Sequence, residues 1–256
     1  MTNEIIMIHG MWGTGEYWVS FKHYFEAEGF ICHTPTLRYH NIKPGEAPDP
    51  KLGTTSLLDY ADDLEALITG LEKPPIVIGH SMGGLLAQIL ASRGLVKSAV
   101  LLTPASPAGI NALKYSVIKS FWEVLARWGF WKKPHRLSLQ TSAYSMLNQL
   151  SLEEQKHVHE QFVYESGRAA AEIGFWLLDS RHASRVDSSQ VNCPVLVVAG
   201  TEDRITPASV VQKIANKYQH VSTYKAFEGH AHWLMAEPGW ETIAAYIHHW
   251  INENTP

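Results

Sequence analysis

The side chains best placed to do chemistry sit in three short segments: Gly79-His80-Ser81-Met82-Gly83, Thr201-Glu202-Asp203-Arg204 and Gly229-His230-Ala231-His232. A serine hydroxyl is a weak nucleophile that needs a base beside it, and an imidazole base needs a carboxylate to fix its tautomer. All three types occur in the order Ser81, Asp203, then His230 or His232, one of the chain orders in which such sets are built. The chemistry they would perform is acyl transfer through a serine ester. Glycines at 79 and 83 answer a steric need, because a serine standing clear on a sharp turn brings the flanking backbone against its neighbours. By chance the pentapeptide would arise in about one chain of this length in ten, so its surroundings decide.

Those surroundings read as strand, turn and helix. Consecutive apolar residues at 5–8, 76–78, 99–102 and 195–199, bounded by turn residues, have the pattern of strands buried on both faces. Apolar residues at three- and four-residue spacing predict helices over 17–28, 57–71, 85–93 and 208–218. Ser56 and Asp59 form a capping pair, and Thr206-Pro207 fits an N-cap followed by the first helical position. The alternation predicts an α/β fold with a doubly wound, mainly parallel sheet. Ser81 then lies on a strand-to-helix turn. Asp203 lies in a loop at the carboxyl end of a strand, where open α/β sheets bind ligands.

From 109 to 181 the alternation stops. No strand is evident there; three or four helices are, one opening at Ser151 with Glu154 as capping partner and one running through 169–178. The expected organisation is a core of 1–108 and 182–256 interrupted by a helical lid at 109–181. The insertion carries Trp122, Trp128, Trp131 and Trp176 with Phe121, Phe130, Phe162 and Phe175, more large apolar surface than short helices need for themselves. Two readings are open: the aromatics pack the insertion onto the core, or Trp122, Phe175 and Trp176 wall an apolar pocket over Ser81. The Pro- and Gly-rich stretch 38–53 either flanks the site or decorates the surface.

Composition narrows the class. With 45% hydrophobic and 18% charged residues the chain is globular, and 21 basic against 25 acidic residues, net −4, exclude nucleic acid as an expected partner. Cys32 and Cys193 are far apart beside apolar runs and are expected as reduced thiols. The N-terminal Met1-Thr2-Asn3-Glu4 has no leader pattern and no apolar stretch reaches membrane-spanning length, so a soluble, cytoplasmic protein is expected. His157 and His159 cannot share a helix face and His248-His249 falls on a terminal helix, so no metal site is expected.

Together, His9-Gly10-Met11-Trp12-Gly13, the Ser81 pentapeptide, Gly200-Thr201-Glu202-Asp203 and the segment from His232 to Glu237-Pro238 resemble the α/β-hydrolase superfamily over essentially the whole chain. The likeness is to its lidded serine branch of carboxylesterases, methylesterases, hydroxynitrile lyases and perhydrolases. It implies a sheet of about six strands, because the chain opens with what resembles the family's third strand. Its spacing from histidine to Glu-Pro selects His232 as base over His230, which stands where relatives carry a small residue. It implies Asp203 as the acid, with Asp179 the fallback and Glu202 turned away. The amides of Met11 and Met82 become the oxyanion hole, and Trp12 either floors an acyl pocket or packs the core. No cofactor is implied. The activity implied is that of a carboxylesterase on small-molecule esters of short-to-medium acyl chains. Thioesterase, lactonase, carbon-carbon hydrolase, perhydrolase or hydroxynitrile lyase chemistry on the same residues stays open, as does a non-catalytic receptor. A dehalogenase or epoxide hydrolase of this fold would carry a carboxylate at position 81.

Overall fold

A computed structural model of the chain describes residues 3–255. In chain order the strands are β1 (Glu4–Ile8), β2 (Ile31–His33), β3 (Ile76–His80), β4 (Ser98–Leu102), β5 (Pro134–His135), β6 (Glu165–Ser166), β7 (Val195–Gly200) and β8 (Ser222–Phe227). Six of them form one sheet in the order β2-β1-β3-β4-β7-β8, every neighbouring pair parallel. The chain is therefore an α/β protein with a six-stranded parallel sheet. The four central strands are buried almost end to end, which is why each reads as an unbroken apolar run. The edge strands lack that signature: β2 has three residues, and β8 reads Ser-Thr-Tyr-Lys-Ala-Phe, every position half-buried.

From β1 the chain winds outward to β2, then crosses back to place β3 on the other side of β1. The crevice at this reversal of winding, beyond the carboxyl ends of β1 and β3, is where open α/β sheets place ligands. His9-Gly10 leaves β1 there, and Ser81 leaves β3 there.

The core helices are α1 (Val19–Ala27), α2 (Leu57–Thr69), α3 (Met82–Ser92), α8 (Ala208–Lys217) and α9 (Trp240–Asn254). Helix α1 is preceded by a 3-10 turn over Gly15–Trp18, so the expected helix at 17–28 is split at its start. The capping box Ser56/Asp59 opens α2 as expected. At α8 the boundary moves by one residue: Pro207, not Thr206, is the N-cap, and the Thr206 hydroxyl is engaged elsewhere. Held against Asp203 and the Thr103 carbonyl, that oxygen is not turned to accept from the first amides of α8.

Between β4 and β7 the chain makes a helical excursion through α4 (Tyr115–Leu125), α5 (Leu139–Ser145), α6 (Leu152–Glu160) and α7 (Gly167–Gly174). Ser151 and Glu154 form the expected capping box of α6. Two expectations are corrected here. The stretch does contain strands, because β5 and β6 pair antiparallel through Pro134↔Ser166 and His135↔Glu165. The helix expected over 169–178 ends at Gly174 and continues only as a 3-10 turn, Trp176–Leu178. Cys32 and Cys193 are free thiols.

Candidate active site

Ser81 occupies φ 54, ψ −118, in the left-handed half of backbone space, where a side chain costs about 1–3 kcal/mol and the surroundings must compensate. Hydrogen bonds do so: Ser81 N donates to Leu102 O at 3.0 Å, while Ser81 O accepts from Ala105 N at 2.8 Å and Leu85 N at 3.2 Å. The glycines behave as the sequence required. A Cβ on Gly79 would stand 2.2 Å from Gly83 O, and one on Gly83 would stand 2.2 Å from Ile8 O. Ser81 is 9% exposed, and an added Cβ on Gly10 would lie 2.9 Å from its own Cβ, so the loop after β1 rests directly against it.

Asp203 follows β7 and is buried. Its Oδ1 accepts from the amides of Ile205 and Thr206, each at 2.8 Å. Its Oδ2 accepts from His232 Nδ1 at 2.7 Å and from Thr206 Oγ1 at 2.7 Å. His232 is buried completely, and its carbonyl accepts from His80 Nε2 at 2.9 Å and Thr103 Oγ1 at 3.2 Å. Burial, and after it the neighbouring His232 ring, keeps His80 far below the usual histidine pKa, so it donates as a neutral ring. His232 Nε2 is buried with no hydrogen-bond partner among the described residues. No hydrogen bond joins it to Ser81.

Other acids and bases considered from the sequence lie elsewhere. His230 turns away from Asp203, its Nδ1 lying 3.2 Å from Glu237 Oε2. Asp179 accepts from the amides of Arg181 and Ala183 in its own turn, and Glu202 is exposed. Two positioning residues were missed. Thr206 Oγ1 bridges Asp203 and Thr103 O and lies 3.2 Å from His232 Nδ1. Glu237, read only as spacing, accepts from Ala231 N at 2.9 Å and Trp233 N at 3.0 Å, clasping the backbone on both sides of His232. Burial holds its carboxyl above the usual carboxylate range.

Above Ser81 lies a cavity of about 510 Å³. Met11, Trp12, Ser81 and Met82 line it from the core; Phe121, Phe175 and Trp176 line it from the excursion. Trp122 does not, correcting the expectation: it is 64% exposed, on the outer face of α4. Val117, Phe121 and Val124 form the inner face at helical spacing, so the correct aromatic is one residue earlier. Trp12 is buried, holds φ 62, and donates from Nε1 to His135 Nδ1 at 3.2 Å, so it serves core and cavity together. The amides of Met11 and Met82, flanking the cavity, make no hydrogen bond among the described residues. Met82 N–H is also the first of α3, at the positive end of the helix dipole.

A parallel sheet with a strained serine turn after β3, an acid after β7 and a buried histidine before the last helix defines a class of fold. The chain belongs to the alpha/beta hydrolase family, whose model matches residues 5–245. A search of curated proteins finds no match. Among solved structures the chain is similar to a methylesterase from Arabidopsis, at 12% identity and TM-score 0.71 over 97% of this chain and 98% of that one. It is similar to a monoacylglycerol lipase from Paleococcus ferrophilus, at 20% identity and TM-score 0.71 over 98% and 94%. Tomato methylketone synthase I, solved with 2-tridecanone, matches at 14% identity and TM-score 0.73 over 99% of both chains. At these identities the likeness is one of fold. No helix among the described residues is long and apolar enough to cross a membrane.

Proposed function

We propose that the protein is a serine hydrolase of carboxylic esters, with Ser81 as nucleophile, His232 as general base and acid, and Asp203 orienting the imidazole. The observation that carries this reading is the His232 ring. Its Nδ1 is held by Asp203 at 2.7 Å, while its Nε2 is buried without a partner, the state of a base awaiting a proton. In the reaction Ser81 Oγ attacks the ester carbonyl and its proton passes to His232 Nε2. The amides of Met11 and Met82 receive the developing oxyanion, the largest stabilising term in many acyl transfers. The intermediate collapses, the alcohol leaves with the His232 proton, and Ser81 is left acylated. Water, deprotonated by His232, releases the carboxylic acid and restores the hydroxyl.

The cavity favours an apolar acyl chain of short-to-medium length, with residues 109–181 acting as a lid and Phe121, Phe175 and Trp176 as the wall. Esterases and a lipase among the structural neighbours support ester chemistry. A cytoplasmic setting is part of the proposal and accords with two free thiols. The test is turnover of p-nitrophenyl esters of graded chain length beside a thioester, an amide and a cyanohydrin. Ester hydrolysis that is lost in Ser81→Ala supports the reading; no turnover of any activated ester defeats it and favours a binding protein.

A further inference from the structure

The mechanism leaves unused a second set of buried polar groups, and it sits behind the loop that follows β1. His40 and Glu165 are both fully buried, with His40 Nε2 3.1 Å from Glu165 Oε2. His40 Nδ1 also faces an oxygen, the carbonyl of Arg38 at 3.0 Å. Two acceptors require two donors, so the ring is an imidazolium. Glu165 Oε1 accepts from Tyr60 Oη at 2.8 Å and from Ser166 N at 2.6 Å. Burial alone would discharge such a pair. The charge and hydrogen bond of Glu165, with the Arg38 and Leu37 carbonyls, outweigh it and hold the His40 pKa above the usual value.

The His40 ring lies 5.3 Å from that of His9, centroid to centroid. His9 Nε2 accepts from Leu37 N at 3.1 Å, which leaves the ring hydrogen on Nδ1, where it is donated to Gly10 O at 2.8 Å. Leu37 is held in turn by His40 N, which donates to Leu37 O at 3.0 Å. Burial and the neighbouring His40 charge push the His9 pKa down to about 3, so this neutral tautomer persists. The Gly10 carbonyl and the Met11 N–H belong to one planar trans peptide group and point in opposite directions. Fixing the carbonyl on His9 therefore aims the Met11 N–H away from the ring. Two further threads tie the same loop to the excursion: Trp12 Nε1 donates to His135 Nδ1 at 3.2 Å, and Val163 N donates to Trp12 O at 3.0 Å.

We propose that Glu165 and His40 are positioning residues for the oxyanion hole: the lid, through Glu165, His40, Leu37 and His9, sets the direction of the Met11 amide. This rests on the proposed acyl-transfer reading. A buried ion pair is poor stabiliser for its cost, since apolar residues of equal volume often do as well. What it adds here is one fixed charge state and one orientation. The groups facing His40 are Glu165 from β6, Tyr60 from α2 and His9 from the loop after β1; His135 of β5 stands opposite Glu165.

The test uses the full chain, p-nitrophenyl butyrate as substrate, and an aliphatic trifluoromethyl ketone, which adds the Ser81 hydroxyl and so needs the oxyanion hole. His9→Phe should lower kcat by about 100-fold or more, as removal of one oxyanion donor does elsewhere, and weaken the ketone in parallel with KM nearly constant. His9→Asn, which retains a donor at the Nδ1 position, should recover most of the loss. Glu165→Gln should cost about 10-fold in kcat and in ketone affinity. Folded Glu165→Gln with both quantities within about twofold of wild type overturns the proposal, as does a loss confined to KM or to melting temperature. Should Glu165→Gln not fold, ring-nitrogen NMR of the wild type decides: His40 doubly protonated and His9 in the Nδ1–H tautomer at neutral pH is expected, and a neutral His40 or the other His9 tautomer overturns it. Wild type that hydrolyses no ester defeats the reaction instead, with the NMR outcome unaffected.

Discussion

Among the described residues two histidine-carboxylate pairs are fully buried, and from their immediate surroundings they are hard to tell apart. His232 with Asp203 and His40 with Glu165 have side chains inaccessible to solvent, at 2.7 and 3.1 Å. Each carboxylate is filled by further donors: the Ile205 and Thr206 amides and the Thr206 hydroxyl on Asp203, Tyr60 and Ser166 on Glu165. The difference is the second ring nitrogen. His40 gives it to the Arg38 carbonyl, whereas His232 leaves Nε2 buried and unpartnered, a deficit worth about 1–3 kcal/mol that a finished structural pair would not carry. A buried histidine-carboxylate contact is thus no mark of catalysis. The unspent nitrogen, with a strained serine on the adjoining turn, is what the proposed reaction asks of its base.

The largest effects should fall on the pair with the unspent nitrogen. Ser81→Ala and His232→Ala should each reduce kcat for an activated ester by about 10⁴-fold or more with the fold intact. His230→Ala should cost far less, since its ring contacts Glu237 and not Asp203. If His230→Ala proved the more damaging, the assignment of the base would move by two residues.

A second expectation concerns charge. His9 and His135 are buried with pKa values near 3 and 4, and His80 lies well below the usual 6.5, so the unfolded chain binds protons that the folded one refuses. Stability should therefore fall as pH drops below about 6.5, by about 1 kcal/mol per pH unit for each such histidine. His40 runs the other way: its pKa is raised, so its contribution is full below 6.5 and is lost only as pH rises through its folded value. Urea midpoints at pH 7 and pH 5 measure the balance. Equal stability at both would contradict the neutral state assigned to the three rings.

The smallest effects belong to the cavity wall. Trp176→Ala should shift the preferred acyl length, at up to about fourfold in kcat/KM per methylene, because each buried methylene contributes about 0.8 kcal/mol. Trp122→Ala, on the outer face of α4, should leave chain-length preference alone. An unchanged preference in Trp176→Ala with a lowered melting temperature would make that tryptophan structural.

How much of this the sequence disclosed depended on whether the determinant was local. The serine turn was legible because its glycines are demanded by contacts of 2.2 Å within one strand-turn-helix unit and the neighbouring strand. The capping boxes at Ser56 and Ser151 were legible because two residues three positions apart specify each. Strand β8 was not, because an edge strand only half-buried at every position needs no apolar run. Nor was the choice of Phe121 over Trp122, since one residue rotates the helical pattern by only 100° and both phases contain aromatics. His40 lies in a stretch with two open readings and meets Glu165 across 125 residues, a pairing no local rule reaches. Thr206 was read as a cap because Thr-Pro before a helix is a capping pattern, and its hydroxyl is drawn instead to Asp203 and to Thr103 O just past β4, a partner 103 residues away.

The central claim is that Ser81 carries the acyl group, and trapping measures it most directly. Intact mass and peptide mapping after treatment with an alkyl fluorophosphonate should show one adduct per chain, on Ser81, with ester hydrolysis lost in proportion. The adduct should be absent from Ser81→Ala and form far more slowly in His232→Ala, yet at close to the wild-type rate in His230→Ala. Labelling at another residue, or undiminished labelling of Ser81→Ala, would contradict the account.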